Sequence, residues 1–198
     1  MTEEQKALAG ILYNAKSPDL DKERVRSQEL CFAYNQLRPS QKHEREKLIR
    51  TEMGKTGEHF RIEAPFHCDF WKRVTLGENF FSNYNFTILA GNEVFFGDNV
   101  MIGPNCGIYA AGHPFDAKRR AAGLEYARPV RIGNHVWIGG HVSVVSGVTI
   151  GDGTVIAAGS VVVNDIPANV LAGGNPCRVI REISDRDDEK YMVLPYLG

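Results

Sequence analysis

Residues 132–167 read IGNHVW, IGGHVS, VVSGVT, IGDGTV, IAAGSV and VVNDIP, six hexapeptides that each begin with an aliphatic residue branched at Cβ. These first positions are Ile132, Ile138, Val144, Ile150, Ile156 and Val162. The residues that follow them are mostly small, and the fifth position of each hexapeptide is small or β-branched. Chance agreement at six such positions is rare, so the pattern is an internal repeat.

A period of six matches neither the 3.6 residues of an α-helical turn nor the alternation of a simple hairpin. It is typical of short strands that are joined by tight turns and wind into a solenoid, with one aliphatic side chain per turn pointing inward. Three hexapeptides would make one triangular coil, and successive coils would stack about 4.8 Å apart as parallel strands. We therefore predict a mainly β protein, a parallel β-helix, with Gly133-Asn134 and Gly151-Asp152-Gly153 at its corners.

The repeat continues towards the N-terminus with less regularity. Leu76 and Ile88 keep its spacing. Two extra residues follow, and the spacing then resumes at Phe96, Ile102 and Ile108. Between residues 110 and 129 the repeat is replaced by a polar, basic stretch. A long interruption in a regular solenoid is more often functional than structural, so we predict a protruding loop extension at 110–129.

Charged residues divide the chain into regions. Residues 1–58 hold 21 of the 47 charged residues, whereas residues 130–180 hold four. We predict an N-terminal helical cap at 1–58, the β-helix at 59–183 and a C-terminal tail at 184–198. The helices expected in the cap begin at a Thr2–Gln5 capping box and run to Ser17-Pro18, from Asp21 to Leu37, and from Ser40 to Met53.

The composition excludes several classes of partner. The chain has 198 residues and a formal net charge of −1, so it has no basic field for nucleic acid or an anionic membrane. Its longest apolar runs are far below the ~20 residues of a membrane-spanning helix, and its N-terminus is charged. We expect a soluble, cytoplasmic protein. Its four cysteines form no CxxC pair, which predicts small buried residues rather than a zinc ribbon or a redox dithiol.

Together with the hexapeptides, three motifs resemble those of the maltose and galactoside O-acetyltransferases. They are Gly112-His113-Pro114, the run Val136-Trp137-Ile138-Gly139-Gly140, and the run from Gly174 to Arg181, GNPCRVIR. The resemblance implies a left-handed β-helix and acetyl-CoA as co-substrate, with no metal required. It also implies a homotrimer whose active sites lie between subunits, with the loop of one subunit reaching the next.

Transfer of an acetyl group from a thioester to a sugar hydroxyl needs a base, because an alcohol is almost wholly protonated at pH 7. A histidine suits this role, and His113 is the one at the start of the loop extension. The resemblance implies that His113 is the catalytic base and that Asn83 hydrogen-bonds the reacting hydroxyl. It also implies that Asp69 contacts the acceptor, and Glu125 is a further candidate acceptor contact.

The resemblance assigns a second set of residues to the coenzyme. The backbone N–H near Gly140 would stabilise the oxyanion, and Trp137 would line the channel for the acetyl group and pantetheine. Ala158 and Val163 match positions beside the coenzyme arm. Arg178 and Arg181 match the arginines that contact coenzyme phosphates, and they stand in a part of the chain with few other charges.

The sequence leaves the acceptor sugar open. Pro65-Phe66-His67-Cys68-Asp69 is closer to the maltose type. However, Ala90-Gly91 replaces an acidic residue that is usual in the family, and Ala15 stands where one relative has an acceptor-binding aspartate.

Two other functions are compatible with a trimeric β-helix. One is a zinc lyase of the γ-carbonic-anhydrase type, for which His113, His135 and His141 are candidate ligands. Against it, a spacing of six places His135 and His141 on successive faces of the coil. The other is a non-catalytic scaffold, which the histidine in the loop and the paired arginines disfavour.

Overall fold

The hexapeptides form short parallel strands wound into a three-sided coil. The computed structural model describes residues 1–189, and for Asp188 and Glu189 only the backbone. The strands in this part of the chain are β1 (Tyr13–Asn14), β2 (Phe60–Ile62), β3 (Phe66–Asp69), β4 (Val74–Leu76), β5 (Phe80–Ser82), β6 (Phe86–Leu89), β7 (Val94–Phe96), β8 (Met101–Ile102), β9 (Gly107–Tyr109), β10 (Ala111–Gly112), β11 (Leu124–Ala127), β12 (Val130–Ile132), β13 (Trp137–Ile138), β14 (Ser143–Val144), β15 (Thr149–Ile150), β16 (Val155–Ile156), β17 (Val161–Val162), β18 (Val170–Gly173) and β19 (Arg178–Glu182). The helices are α1 (Glu3–Leu8), α2 (Pro18–Gln36), α3 (Lys42–Glu52), α4 (Ala117–Ala121) and α5 (Arg186–Glu189), with a 3-10 turn at Trp71–Arg73.

Three parallel sheets make the sides of the coil. The first sheet contains β4, β7, β12 and β15, the second contains β2, β5, β8, β13, β16 and β18, and the third contains β3, β6, β9, β14 and β17. β19 adds to the second sheet as an antiparallel edge strand. Ile132 pairs with Ile150, Ile138 with Ile156 and Val144 with Val162, so three hexapeptides make one coil, as predicted.

The earlier coils are two residues longer. Leu76 pairs with Phe96 and Ile88 with Ile108, a separation of 20 residues instead of 18. The two extra residues lie between the third and the first sheet, where the chain passes through Ala90 and Gly91. The longer coil therefore changes the same corner that carries the loop extension.

The interior is a set of stacked aliphatic rows. All six first positions of the repeat are fully buried, and the fifth positions are buried as well. Burying one such side chain contributes about 1.5–3 kcal/mol, so the repetition itself supplies much of the driving force for folding. At the N-terminal end of the coil, Phe80, Phe86 and Phe96 replace the aliphatic residues and contact one another through their rings.

Left-handed backbone at the fourth position of the hexapeptides turns the corners. The residues with positive φ at these positions are Asn79, Asn85, Asn99, Asn105, His135, His141, Gly147, Gly153 and Gly159. Glycine and asparagine tolerate this conformation best, which explains the turn residues in the repeat. The side chains of Asn85, Asn105 and His141 form a hydrogen-bonded row along one corner, with distances of 2.9 and 3.2 Å.

The first helix is shorter than predicted. The Thr2–Gln5 capping box is present, but α1 ends at Leu8, and Gly10 follows with a φ of 71°. The prediction of a helix up to Ser17-Pro18 is therefore wrong. Instead, Tyr13–Asn14 form β1, which pairs with β11 in the loop extension.

The other two cap helices follow the sequence pattern within three residues at each end. α2 begins at Pro18 and α3 at Lys42. No helix among the described residues has the length and apolar composition that crossing a membrane requires. All four cysteines are buried and unpaired, as predicted. The predicted tail contains α5, and its residues 190–198 lie outside the described part of the chain.

Side chains of α2 cover the free edge of the third sheet. Asn35 exchanges two hydrogen bonds with the backbone of Phe66, at 2.8 and 2.9 Å. One turn earlier, the Cys31 thiol lies 3.2 Å from the Cys68 backbone nitrogen. The Ser27 hydroxyl, another turn back, accepts a hydrogen bond from the next stretch of chain. Residues four apart on one helix face thus substitute for a neighbouring strand.

The loop extension leaves the coil where predicted and has its own structure. β10, α4 and β11 follow one another, and β1, β11 and β10 form a small antiparallel sheet. The N-terminus of the chain and the loop are thereby held together across more than 100 residues.

Candidate active site

One cavity of about 470 Å³ lies between the loop extension, β1 and the outer face of the third sheet. His113, Asp69 and Glu125 all line it, although they come from three different parts of the chain. The structure therefore brings together three of the residues that the sequence predicted for the site. Tyr13 and Arg24 also line the cavity, and sequence reasoning did not find them.

His113 follows β10 directly, at the point where the chain leaves the coil. Its side chain is 56% exposed, so the imidazole is accessible from the cavity. The Nε2 atom of His113 lies 3.8 Å from Oε1 of Glu125. A carboxylate at this distance stabilises the imidazolium that forms when the histidine takes up a proton.

Glu125 lies on β11, opposite Tyr13 on β1. The Tyr13 hydroxyl donates a hydrogen bond of 2.7 Å to Oε2 of Glu125. Burial raises the pKa of the Tyr13 hydroxyl, and the neighbouring carboxylate raises it further, so the hydroxyl stays protonated. Glu125 thus uses one oxygen for Tyr13 and presents the other to His113.

Asp69 is at the end of β3, on the cavity wall. The backbone N–H of Ala90 donates a hydrogen bond to its Oδ1. Burial raises the pKa of the Asp69 carboxyl to about 6, although this hydrogen bond and the nearby Arg73 and Arg24 act in the opposite direction. Asp69 therefore changes its charge close to neutral pH.

The two departures from the family pattern both lie beside this cavity. A Cβ atom at Gly91 would come within 2.6 Å of the Ala111 Cβ, so a side chain cannot be placed there without movement. Ala15 is buried, and its carbonyl oxygen accepts a hydrogen bond from Arg24.

Asn83 is not in this cavity. It follows β5, at the corner between the second and third sheets, where its Oδ1 accepts a hydrogen bond of 2.8 Å from the Tyr84 N–H. The four residues of β6 separate this corner from the corner of His113, a distance of about 13 Å at 3.3 Å per residue. Within one chain the structure therefore does not bring Asn83 and His113 together.

The residues predicted for the coenzyme lie mostly along the corner of Asn83. Trp137 points outward from the second sheet and is 50% exposed, between Met101 and Val155 on the adjoining strands. Gly140 and Ala158 occupy the corner itself, in successive coils. A Cβ atom at the preceding Gly139 would come within 2.6 Å of the Ala158 nitrogen, so backbone packs closely on backbone here.

The remaining coenzyme candidates are exposed. Val163 follows β17 on the third sheet and is 40% exposed. Arg178 and Arg181 both lie on β19. The Arg178 guanidinium donates to the Cys177 carbonyl, whereas Arg181 forms an ion pair with Asp187, with distances of 2.5 and 2.8 Å.

Two family models and several known acetyltransferases match this chain. The family model described as the maltose acetyltransferase hexapeptide capping motif matches residues 6–57, and that described as bacterial transferase hexapeptide matches residues 129–164. A putative acetyltransferase of Saccharomyces cerevisiae is 50% identical over 90% of this chain and 91% of its own length. The galactoside O-acetyltransferase of Escherichia coli is 42% identical over 93% of this chain and 91% of its own length. The chain belongs to the maltose and galactoside O-acetyltransferase family.

Solved structures of such acetyltransferases superpose on most of the chain. A maltose O-acetyltransferase from Clostridium difficile gives a TM-score of 0.91 at 45% identity, covering 93% of this chain and 99% of the other. A galactoside acetyltransferase solved in complex with coenzyme A gives 0.92 at 42% identity, covering 95% and 94%. The predicted left-handed β-helix is thus confirmed, and the protein is an acetyltransferase.

The arrangement of histidines in this acetyltransferase differs from a zinc centre. His135 and His141 turn two different corners of the coil, and His141 contacts Asn105. Among the side chains that the structure describes, which end at Asp187, three or more of His, Cys, Asp or Glu nowhere gather in a way that could hold a metal ion. His113 is instead paired with a carboxylate, which suits proton transfer.

Proposed function

We propose that this acetyltransferase moves an acetyl group from acetyl-CoA directly to a hydroxyl group of a sugar, with His113 as general base. The observation that carries the proposal is the cavity in which His113, Asp69 and Glu125 meet. Its volume of about 470 Å³ is in the range of small-molecule sites, and its lining combines charged and hydroxyl groups with apolar side chains, a mixture that suits a sugar. A relative with 42% identity was solved with coenzyme A, which supports the choice of donor.

His113 removes the proton from the acceptor hydroxyl as the oxygen attacks the thioester carbonyl. The O–C bond forms, the C–S bond breaks, and the coenzyme thiolate leaves and takes a proton from the imidazolium. Glu125, 3.8 Å from the imidazole, stabilises the positive charge between these two steps. The histidine is neutral again after one turnover.

The acceptor sugar is held by polar groups around the base. The Ala90 N–H is bonded to Oδ1 of Asp69, and the other carboxylate oxygen accepts hydrogen bonds from sugar hydroxyls. Asn83 binds the reacting hydroxyl, and Glu125 is a second acceptor contact. The exposed sides of Tyr109 and Tyr126, which also line the cavity, give a surface for the apolar face of the sugar ring.

The donor occupies the corner between the second and third sheets. The Gly140 N–H stabilises the oxyanion of the tetrahedral intermediate, and Trp137 lines the channel for pantetheine. Ala158 and Val163 flank the arm of the coenzyme. Arg178 and Arg181 bind its phosphates. Arg181 gives up its ion pair with Asp187 to do so.

The two halves of this site are on different corners of one chain, so a second copy must complete it. We propose a homotrimer with three active sites, each formed by the His113 cavity of one subunit and the Asn83 corner of the next. Around a threefold axis, one corner of each coil faces a different corner of its neighbour. This arrangement would place the His113 corner of one subunit beside the Asn83 corner of the next, although the two corners are about 13 Å apart within one chain.

The deciding experiment measures acetyl-CoA turnover with maltose, glucose, galactosides and chitin oligomers as acceptors. We expect His113→Ala to lower kcat on the preferred sugar by about 10²-fold or more. Binding of acetyl-CoA, measured by calorimetry, should change little. His59→Ala is the matched control, because His59 also contacts a carboxylate, Glu78, but lies outside the cavity. Normal turnover by His113→Ala would overturn the assignment of the base.

A further inference from the structure

Tyr13, near the N-terminus, contacts the carboxylate that faces the candidate catalytic base. β1 has only two residues, and its register places Tyr13 directly opposite Glu125. The Tyr13 side chain is 3% exposed, and its hydroxyl donates the 2.7 Å hydrogen bond to Oε2 of Glu125. The other oxygen of Glu125 is the one that faces His113. One contact therefore determines which way the carboxylate points.

We propose that Tyr13 is a positioning residue for acetyl transfer, which holds Glu125 so that its free oxygen stabilises the His113 imidazolium. The proposal rests on the proposed function, in which His113 is the base. Tyr13 lines the cavity, but its hydroxyl is used by Glu125 and forms no hydrogen bond with the acceptor or the coenzyme in this mechanism. It acts through Glu125.

The missing side chain at Gly91 is part of the arrangement. A Cβ atom at this position would lie 3.3 Å from the Tyr13 hydroxyl oxygen and 2.6 Å from the Ala111 Cβ. A larger side chain at position 91 would therefore compete with the hydroxyl for the same space. The departure from the family pattern at Ala90-Gly91 leaves room for a tyrosine hydroxyl to reach Glu125.

Other charged and titratable groups lie around the same cavity. The titratable and charged residues that face this region are Arg24 on α2, Asp69 on β3, Arg73 on the 3-10 turn, Tyr109 on β9, His113 after β10 and Tyr126 on β11. Arg24 and Arg73 would attract a carboxylate that is free to rotate, and Asp69 would repel it. The Tyr13 hydroxyl prevents this rotation. Burial raises its pKa, so it remains a donor throughout the working pH range.

Tyr13→Phe removes only the hydroxyl and tests the proposal. We expect kcat to fall about tenfold or more, the effect of losing one hydrogen bond to a charged group. The loss should appear in kcat, because the hydroxyl acts on the positive charge that forms on His113 only during transfer. The KM for acetyl-CoA should not change.

Tyr34→Phe is the matched control. Tyr34 is also buried, and its hydroxyl donates a 2.7 Å hydrogen bond to the Ile62 carbonyl, but it lies outside the cavity of His113. This variant should lose stability with normal kcat. A structural role for Tyr13 alone would make the two variants behave alike.

The double variant Tyr13→Phe, Glu125→Gln separates the possible outcomes. If Tyr13 acts through Glu125, adding Tyr13→Phe to Glu125→Gln lowers kcat no further. Additive losses, or a normal kcat in Tyr13→Phe, would overturn the positioning role. Normal turnover by His113→Ala would instead refute the proposed function, so the two failures can be told apart.

Discussion

Asp69 illustrates how the position of a single carboxyl group sets its affinity for a proton. The residue ends a strand that is covered by α2 on one side and by the cavity on the other. Burial raises its pKa to about 6, from an ordinary value of 3.8. Between the ordinary pKa of 3.8 and about 6, the folded state binds more protons than the unfolded chain. The contribution of Asp69 to stability therefore falls as pH rises through this range.

Asp69→Asn should remove this pH dependence. Well below pH 3.8 the carboxyl is neutral in both states, and the variant should resemble the parent. Above pH 6 the parent carries a buried charge that costs about 3 kcal/mol, so the variant should have the higher Tm there. Thermal melts between about pH 3 and 8 measure the difference, with Asp19→Asn, an exposed carboxyl at the start of α2, as control. A constant difference in Tm across this range would contradict the assignment.

Single residues of the site differ in how visible they are in the sequence. His113 stands in a Gly-His-Pro motif at the edge of a repeat, and its surroundings are visible in the sequence itself. Tyr13 has no such signal, because its role depends on a strand pairing 112 residues away. Glu125 was predicted as an acceptor contact, and its proximity to His113 required the antiparallel register of the loop.

At the scale of elements, the corners impose the strictest demands on sequence. The fourth position of most hexapeptides has a positive φ, and asparagine or glycine occupies most of these positions. Asn105 has a φ of 59° and exchanges hydrogen bonds with Asn85 below it and His141 above it. The left-handed backbone of Asn105 and its side-chain hydrogen bonds thus contribute separately to the stability of the corner.

Two changes at Asn105 distinguish these contributions. Both Asn105→Gly and Asn105→Ala lose the side-chain hydrogen bonds, but only alanine meets the steric penalty of left-handed backbone, roughly 1–2 kcal/mol. We expect the alanine variant to be the less stable of the two, the reverse of the order in ordinary helices. Urea unfolding measures the free energies. A more stable alanine variant would show that the corner can adopt a right-handed backbone.

The strands of the coil could be predicted because their spacing is regular. The interior rows, the extra residues before Phe96 and the loop extension all follow from counting in sixes. β1 could not be predicted in this way. The pattern from Ala7 to Leu12 resembles a helix, but Gly10 ends it and β11 provides a partner for Tyr13 that only the folded chain supplies.

For the whole molecule, the separation of Asn83 from His113 predicts complementation between subunits. Asn83→Ala and His113→Ala should each be nearly inactive alone. When the two are unfolded together in equal amounts and refolded, about a quarter of the interfaces in random trimers combine an intact His113 with an intact Asn83. Activity should return to about that fraction, with the trimer mass measured by light scattering. Refolding each variant alone is the control, and an inactive mixture would mean that one chain supplies the whole site.

α2 covers the edge strand β3, on which a second molecule could otherwise pair. A parallel strand with free N–H and C=O groups is a template on which a second molecule can extend the sheet, and stacked coils would then polymerise end to end. Ser27, Cys31 and Asn35 occupy these groups with side chains, which cannot pass the pattern on to another molecule. α2 therefore protects this edge of the third sheet from pairing with another molecule.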